Sequence, residues 1–135
     1  MRRSTIALGW FLTLATALSA AAQAGAADTV AILLPGAGGA VPSDFLMRNL
    51  NSFKRAGMRT VVTTSPDKAA TISKSEHAQG HHIVIVGMSR GTIHVAQALA
   101  AGAQVSRALF VSGNFKAMMG ILHTPARLPE TLVVH

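Results

Sequence analysis

Ile83-Val84-Ile85-Val86-Gly87-Met88-Ser89-Arg90-Gly91-Thr92 passes from a solid β-branched run into a serine with a glycine two positions away on each side. A short apolar run ended by glycine suits a strand buried on both faces, and the sequence from about Arg90 to Ala101, stopped by Gly102, suits a helix. Ser89 therefore stands at the corner where a strand turns into a helix. A turn that sharp strains the backbone of its central residue, and it brings the positions two residues away so close that only glycine fits. The Ser89 hydroxyl is then held above the sheet at the positive end of the helix, where developing negative charge is favoured. The backbone N–H of Arg90 points into the same space.

Outward from this corner, strand-like and helix-like segments alternate. Thr29 to Leu34 is a nearly all-apolar strand ended by Pro35-Gly36. Ser43 is read as the cap of one helix whose Phe45, Leu46, Leu50 and Phe53 share a side, with Lys54 and Arg55 in its last turn and Gly57 as its stop. Met58 to Thr64 is a second strand. Lys68 to Gln79 is ambiguous, with Ala69, Ala70 and Ile72 available as one face of a short helix ended by Gly80. His82 to Val86 is the third strand and Arg107 to Ser112 the fourth. Residues 113–130 read as loop with one helical turn, and Thr131 to Val134 as a fifth strand. Strands alternating with helices predict an α/β three-layer sandwich on a mostly parallel sheet of about five strands. Ligands of such sheets bind at the carboxyl edge.

Gly87-Met88-Ser89-Arg90-Gly91 matches G-x-S-x-G in the setting its mechanism needs, after a strand and before a helix. With the glycine-rich Pro35-Gly36-Ala37-Gly38-Gly39 that follows the first strand, it makes the chain resemble the α/β-hydrolase superfamily from about Val30 to the last residue. The resemblance implies that Ser89 is the nucleophile of an ester-type acyl hydrolysis and that Gly87 and Gly91 form its elbow. It also implies that the loop of Gly36 and Gly38 supplies a second oxyanion donor, the Ala37 or Gly38 N–H, beside Arg90. Pro35 stands where histidine is frequent in the family. A nucleotide-binding G-x-G-x-x-G would need glycine where Val41 sits, and no Walker Gly-Lys-Ser/Thr is present. A glycine turn without function stays open as an alternative.

A serine needs a base, and the base needs an orienting acid. In the family the order is Ser, then Asp or Glu, then His. The usual place of the acid matches sequence just beyond Thr131 to His135, so the reading is of an incomplete, C-terminally truncated hydrolase core. Where some relatives put the acid one strand earlier, this chain has Asn114. Glu130 precedes its strand and belongs at the opposite sheet edge. His94 reads as a packed or solvated helix residue, His123 as the least implausible base, and His135 as structural. His77, His81 and His82 lack a common face and a nearby carboxylate, so no metal site and no cofactor is expected. Met118, Met119, Ile121 and Leu122 read as core beneath a loop, with an acyl pocket as the alternative.

Residues 1–24 carry a two-arginine start, an apolar run from Ile6 to about Ala22 and the A-x-A site Ala22-Gln23-Ala24. They are read as a cleaved export signal, with an uncleaved anchor as the alternative. Cleavage leaves 111 residues, 25–135, and lowers the formal net charge from +7 to +5. Lysines and arginines are scattered, which argues against nucleic acid as a partner. No cysteine is present, so no disulfide or thiolate metal site is available to an exported, periplasmic or secreted protein. The expected partner is a small-molecule ester or acyl compound, with no membrane association after cleavage and the oligomeric state open. Turnover is expected to be weak or absent because the acid and histidine are missing. A non-catalytic binding or scaffold module on the same fold is the alternative, and nucleotide binding a third. A terminal apolar strand without its covering helix would be an aggregation liability.

Overall fold

The computed structural model describes residues 28–123 and 128–134. The segment read as an export signal, with its expected cleavage site, and His135 lie outside the described residues. Five strands form one sheet in the order β2-β1-β3-β4-β5: β1 (Thr29–Leu34), β2 (Arg59–Val62), β3 (His82–Met88), β4 (Arg107–Val111) and β5 (Glu130–Val134). Every pairing is parallel, with Ile32 opposite Ile85 and Val86 opposite Leu109 in the centre.

Five helices flank the sheet among the described residues: α1 (Phe45–Arg48), α2 (Leu50–Arg55), α3 (Pro66–Ala78), α4 (Arg90–Ala100) and α5 (Phe115–Leu122). On one face Val30, Ile32, Leu34, Ile83, Ile85 and Phe110 pack under α3, α4 and α5, which contribute Ala69, Val95, Ala96, Met118 and Leu122. On the other face Ala31, Leu33 and Val86 meet Leu46 of α1, with Leu50 and Phe53 of α2 partly buried. The result is an α/β three-layer sandwich with an all-parallel sheet. β1 is buried at all six positions because both of its faces are covered.

Among the described residues the second face is covered over β1, β2 and the Val86 end of β3. Towards β5, Val84, Leu109 and Leu132 line an open depression of about 350 Å³ whose rim carries Arg107, Glu130 and Thr131. Leu132 is 61% exposed and Val134 41%.

Three segments differ from the sequence reading. The single helix expected after Ser43 is two short helices broken at Asn49, whose backbone lies at φ −99°, ψ 6°. The cap is Asp44, not Ser43: its carboxylate accepts the Leu46 and Met47 N–H groups. The Asn49 side chain donates to the Phe45 carbonyl at 2.8 Å, the local competition that makes asparagine a helix breaker. The ambiguous stretch after Ser65 is a full helix, α3, capped by the Ser65 hydroxyl and holding Pro66 in its first turn. The segment read as loop contains α5, capped by Asn114, whose side chain accepts the Ala117 N–H at 3.0 Å. Met118 and Leu122 are buried under it against α4.

Candidate active site

Ser89 joins β3 to α4 at φ 51°, ψ −116°, a region non-glycine residues rarely enter and that costs on the order of 1–3 kcal/mol unless the surroundings enforce it. Two contacts enforce it. A Cβ on Gly91 would lie 1.9 Å from the Leu34 carbonyl oxygen, and one on Gly87 would lie 2.6 Å from the Gly91 carbonyl oxygen. The first turn of α4 thus rests directly on the end of β1, and β3 passes directly beneath that turn. Hydrogen bonds fix what remains. The Ser89 N–H donates to the Val111 carbonyl at 2.8 Å, while the Thr92 N–H and hydroxyl both donate to the Ser89 carbonyl, at 3.0 and 2.6 Å. The Ser89 side chain does not cap α4 and makes no hydrogen bond among the described residues. Ser89 is exposed at the carboxyl edge of the sheet.

The glycine-rich loop reaches this corner because β1 pairs with β3, bringing Leu34 opposite Gly87. A Cβ on Gly36 would stand 3.7 Å from Ser89 Cβ, so the loop passes beside the serine. Asp44 anchors it: one carboxylate oxygen accepts the Gly36 N–H at 2.8 Å while the other accepts the Leu46 N–H at 2.8 Å. Gly39, at φ 73°, closes the turn by donating its N–H to the Gly36 carbonyl at 2.9 Å. The Gly36 N–H is therefore spent on Asp44. The N–H groups of Ala37, Gly38 and Arg90 carry no hydrogen bond among the described residues.

Between the loop and α4 lies a cleft of about 330 Å³ lined by Gly36, Ala37, Gly38, Gly39, Thr64, Arg90 and His94. His94 is half-buried one turn along α4 from Arg90, and its Nδ1 is buried without a hydrogen-bond partner. Burial first, and the Arg90 charge second, hold its imidazole below the ordinary histidine range. No histidine, aspartate or glutamate is hydrogen-bonded to Ser89 among the described residues.

The other candidates lie elsewhere. Glu130 opens β5 at the opposite sheet edge, where it accepts a hydrogen bond from Arg107 at 3.0 Å. Asn114 caps α5, and His123 ends that helix at φ 57°, exposed. The expectation that the His77, His81 and His82 group lacks a nearby carboxylate is corrected: the α3 helix brings Glu76 within 2.7 Å of His81, and Glu76 also takes a two-pronged hydrogen bond from Arg59. Arg59 above all holds the Glu76 carboxyl below its ordinary range. No group of three or more metal-ligating side chains is assembled among the described residues.

Four contributors escape a reading of the sequence. Asp44 is one, because the sequence reading gives the cap to the adjacent Ser43. Thr92 is fully buried with its hydroxyl on the Ser89 carbonyl, and Gly113 packs against it so closely that a Cβ would meet Thr92 Oγ1 at 2.6 Å. His94 is the fourth, because five positions along a helix does not reveal which side of the serine it takes. No family model, no curated protein and no solved structure matches this chain.

Proposed function

We propose that the chain is an α/β-hydrolase-like protein with Ser89 as nucleophile and ester-type acyl transfer as its reaction class. The observation that carries this reading is the meeting of a strained, hydrogen-bond-free serine at a β-to-α corner with a glycine loop whose neighbouring amides are unpaired. Ser89 Oγ attacks the acyl carbon of an ester, and the carbonyl oxygen takes up the displaced electron pair as an oxyanion. The N–H groups of Arg90 and Ala37 receive that charge, with the positive end of α4 behind them. Collapse of the oxyanion expels the alkoxide, which takes a proton from water. A second water then cleaves the acyl-serine and returns the enzyme.

The weak point is proton removal from Ser89. With no base hydrogen-bonded to it among the described residues, that proton passes to solvent, and the rate rests on oxyanion stabilisation and proximity alone. Such a residue of catalysis is about 10³–10⁴-fold over water in a serine hydrolase stripped of its triad. Slow turnover of this chain follows. The same lack of a base among the described residues favours a second reading, a non-catalytic binding module on this fold.

Hydrolysis of p-nitrophenyl acetate by residues 25–135, compared with the Ser89→Ala variant, separates the two. The hydrolase reading expects slow release without a burst that drops to the buffer rate in the variant. Equal rates for both proteins would support the binding module, and fast turnover with a burst would overturn the statement that no base reaches Ser89.

A further inference from the structure

The 330 Å³ cleft beside Ser89 has an unusual balance of groups. Its lining contains one permanent charge, the Arg90 guanidinium, and no carboxylate. The Arg90 side chain makes no ion pair or hydrogen bond among the described residues, whereas Arg59 and Arg107 are both paired to glutamates. The nearest acid to the loop, Asp44, is occupied by backbone N–H groups and is not part of the lining. His94 adds a second donor. Because its Nδ1 is buried without an acceptor, the proton of the neutral ring belongs on Nε2, the nitrogen that is not buried. The Ala37 and Gly38 N–H groups, unpaired, lie in the wall formed by the loop.

Donors without a competing anion define the ligand by its charge. We propose that this cleft binds a small organic anion, a carboxylate or a phosphate monoester, held between the Arg90 guanidinium and the His94 imidazole. The inference rests on the hydrolase reading in one respect, that the anionic group and the scissile ester belong to one substrate lying across Ser89. Arginine suits such a partner through its planar fork of N–H groups. The excess of basic residues on the chain would draw such a substrate in. Arg90 is the charged group that acts on His94, and together with burial it disfavours the imidazolium. A bound anion counters the Arg90 charge and attracts the imidazolium directly, so occupancy raises the pH at which the His94 ring takes up its proton.

The test is binding to the Ser89→Ala variant of residues 25–135, followed by NMR of the histidine ring resonances. Three probes are used: monomethyl succinate, inorganic phosphate, and dimethyl succinate as the neutral control of like shape. A saturable shift of the His94 ring with at least one anion, an upward move of its titration, and no shift with the diester are expected. Arg90→Gln should weaken the anion by about 10-fold, as loss of a charge-assisted hydrogen bond does, and Arg90→Lys should restore part of it. Response to monomethyl succinate alone assigns a carboxylate, and response to phosphate alone a phosphate ester. Equal binding of charged and neutral esters, or no binding of any anion to a folded variant, overturns the proposal. The hydrolase reading fails separately, through loss of Ser89 reactivity in the wild type, so the two failures are distinguishable.

Discussion

The Leu34 carbonyl oxygen lies 1.9 Å from the point where a Cβ on Gly91 would stand. That oxygen is backbone at the end of a fully buried strand, so it cannot yield without moving the sheet. Gly91→Ala should therefore destabilise the fold by ~3 kcal/mol or more. Gly120, inside α5 with nothing within 4 Å of its missing Cβ, is the control. Gly120→Ala should stabilise by ~0.5–1 kcal/mol through lower unfolded-state entropy and better helix propensity. Urea unfolding of both variants checks the pair.

Asp44 holds two elements with one carboxylate, the amide of Gly36 and the start of α1. Asp44→Ala should cost ~1–2 kcal/mol in denaturant unfolding, the usual loss for a helix cap. Asp44→Ser should recover the cap but not the loop anchor. Both variants should therefore react more slowly than wild type at Ser89 with a fluorophosphonate, even where Asp44→Ser is nearly as stable as wild type.

The Arg59–Glu76–His81 cluster makes stability sensitive to acid. Hydrogen bonding to Arg59 depresses the folded-state pKa of Glu76 below its ordinary 4.5. A depressed carboxylate stabilises above the unfolded-state value, and that contribution is lost as pH falls through the lower folded-state value. Unfolding free energy should thus decline from about pH 4.5 downward, and Glu76→Gln should flatten that part of the profile. Because the Arg59 side chain is 52% exposed, the effect should shrink in high salt.

Leu132 stands 61% exposed on the uncovered half of the sheet, beside Leu109 and Val84. An apolar face next to an edge strand promotes association. Sedimentation velocity should show concentration-dependent self-association of residues 25–135, reduced in Leu132→Lys. A monomer at all concentrations would contradict this.

The sheet was legible in the sequence because strands buried on both faces are continuous apolar runs: Thr29–Leu34 and the run from Ile83 each announce a strand without ambiguity. The pairing of β1 with β3 is not written in either run. Local competition was not legible. Nothing in Ser43-Asp44 says which side chain turns to the helix and which to solvent, since the choice depends on Gly36, eight positions back. The break at Asn49 is one side-chain hydrogen bond weighed against helix propensity. The residues of α5 do carry a helical pattern, with Phe115, Met118, Met119 and Leu122 at i, i+3, i+4 and i+7, but the stretch is only two turns long and Gly120 inside it weakens helix propensity, which favours the reading as loop. At the site, G-x-S-x-G fixed the corner, while the cleft needed three dimensions: His94 and Arg90 join the loop only once α4 has docked on β1.

The most direct measurement is the site and rate of covalent labelling by a fluorophosphonate, read by intact mass and peptide mapping of residues 25–135. Slow, single-site modification on Ser89, abolished by prior unfolding in urea and absent in Ser89→Ala, is expected. A folded protein whose Ser89 stays unmodified through prolonged exposure, or that reacts equally at other hydroxyls, would contradict the claim that this serine faces amide donors at an activated corner.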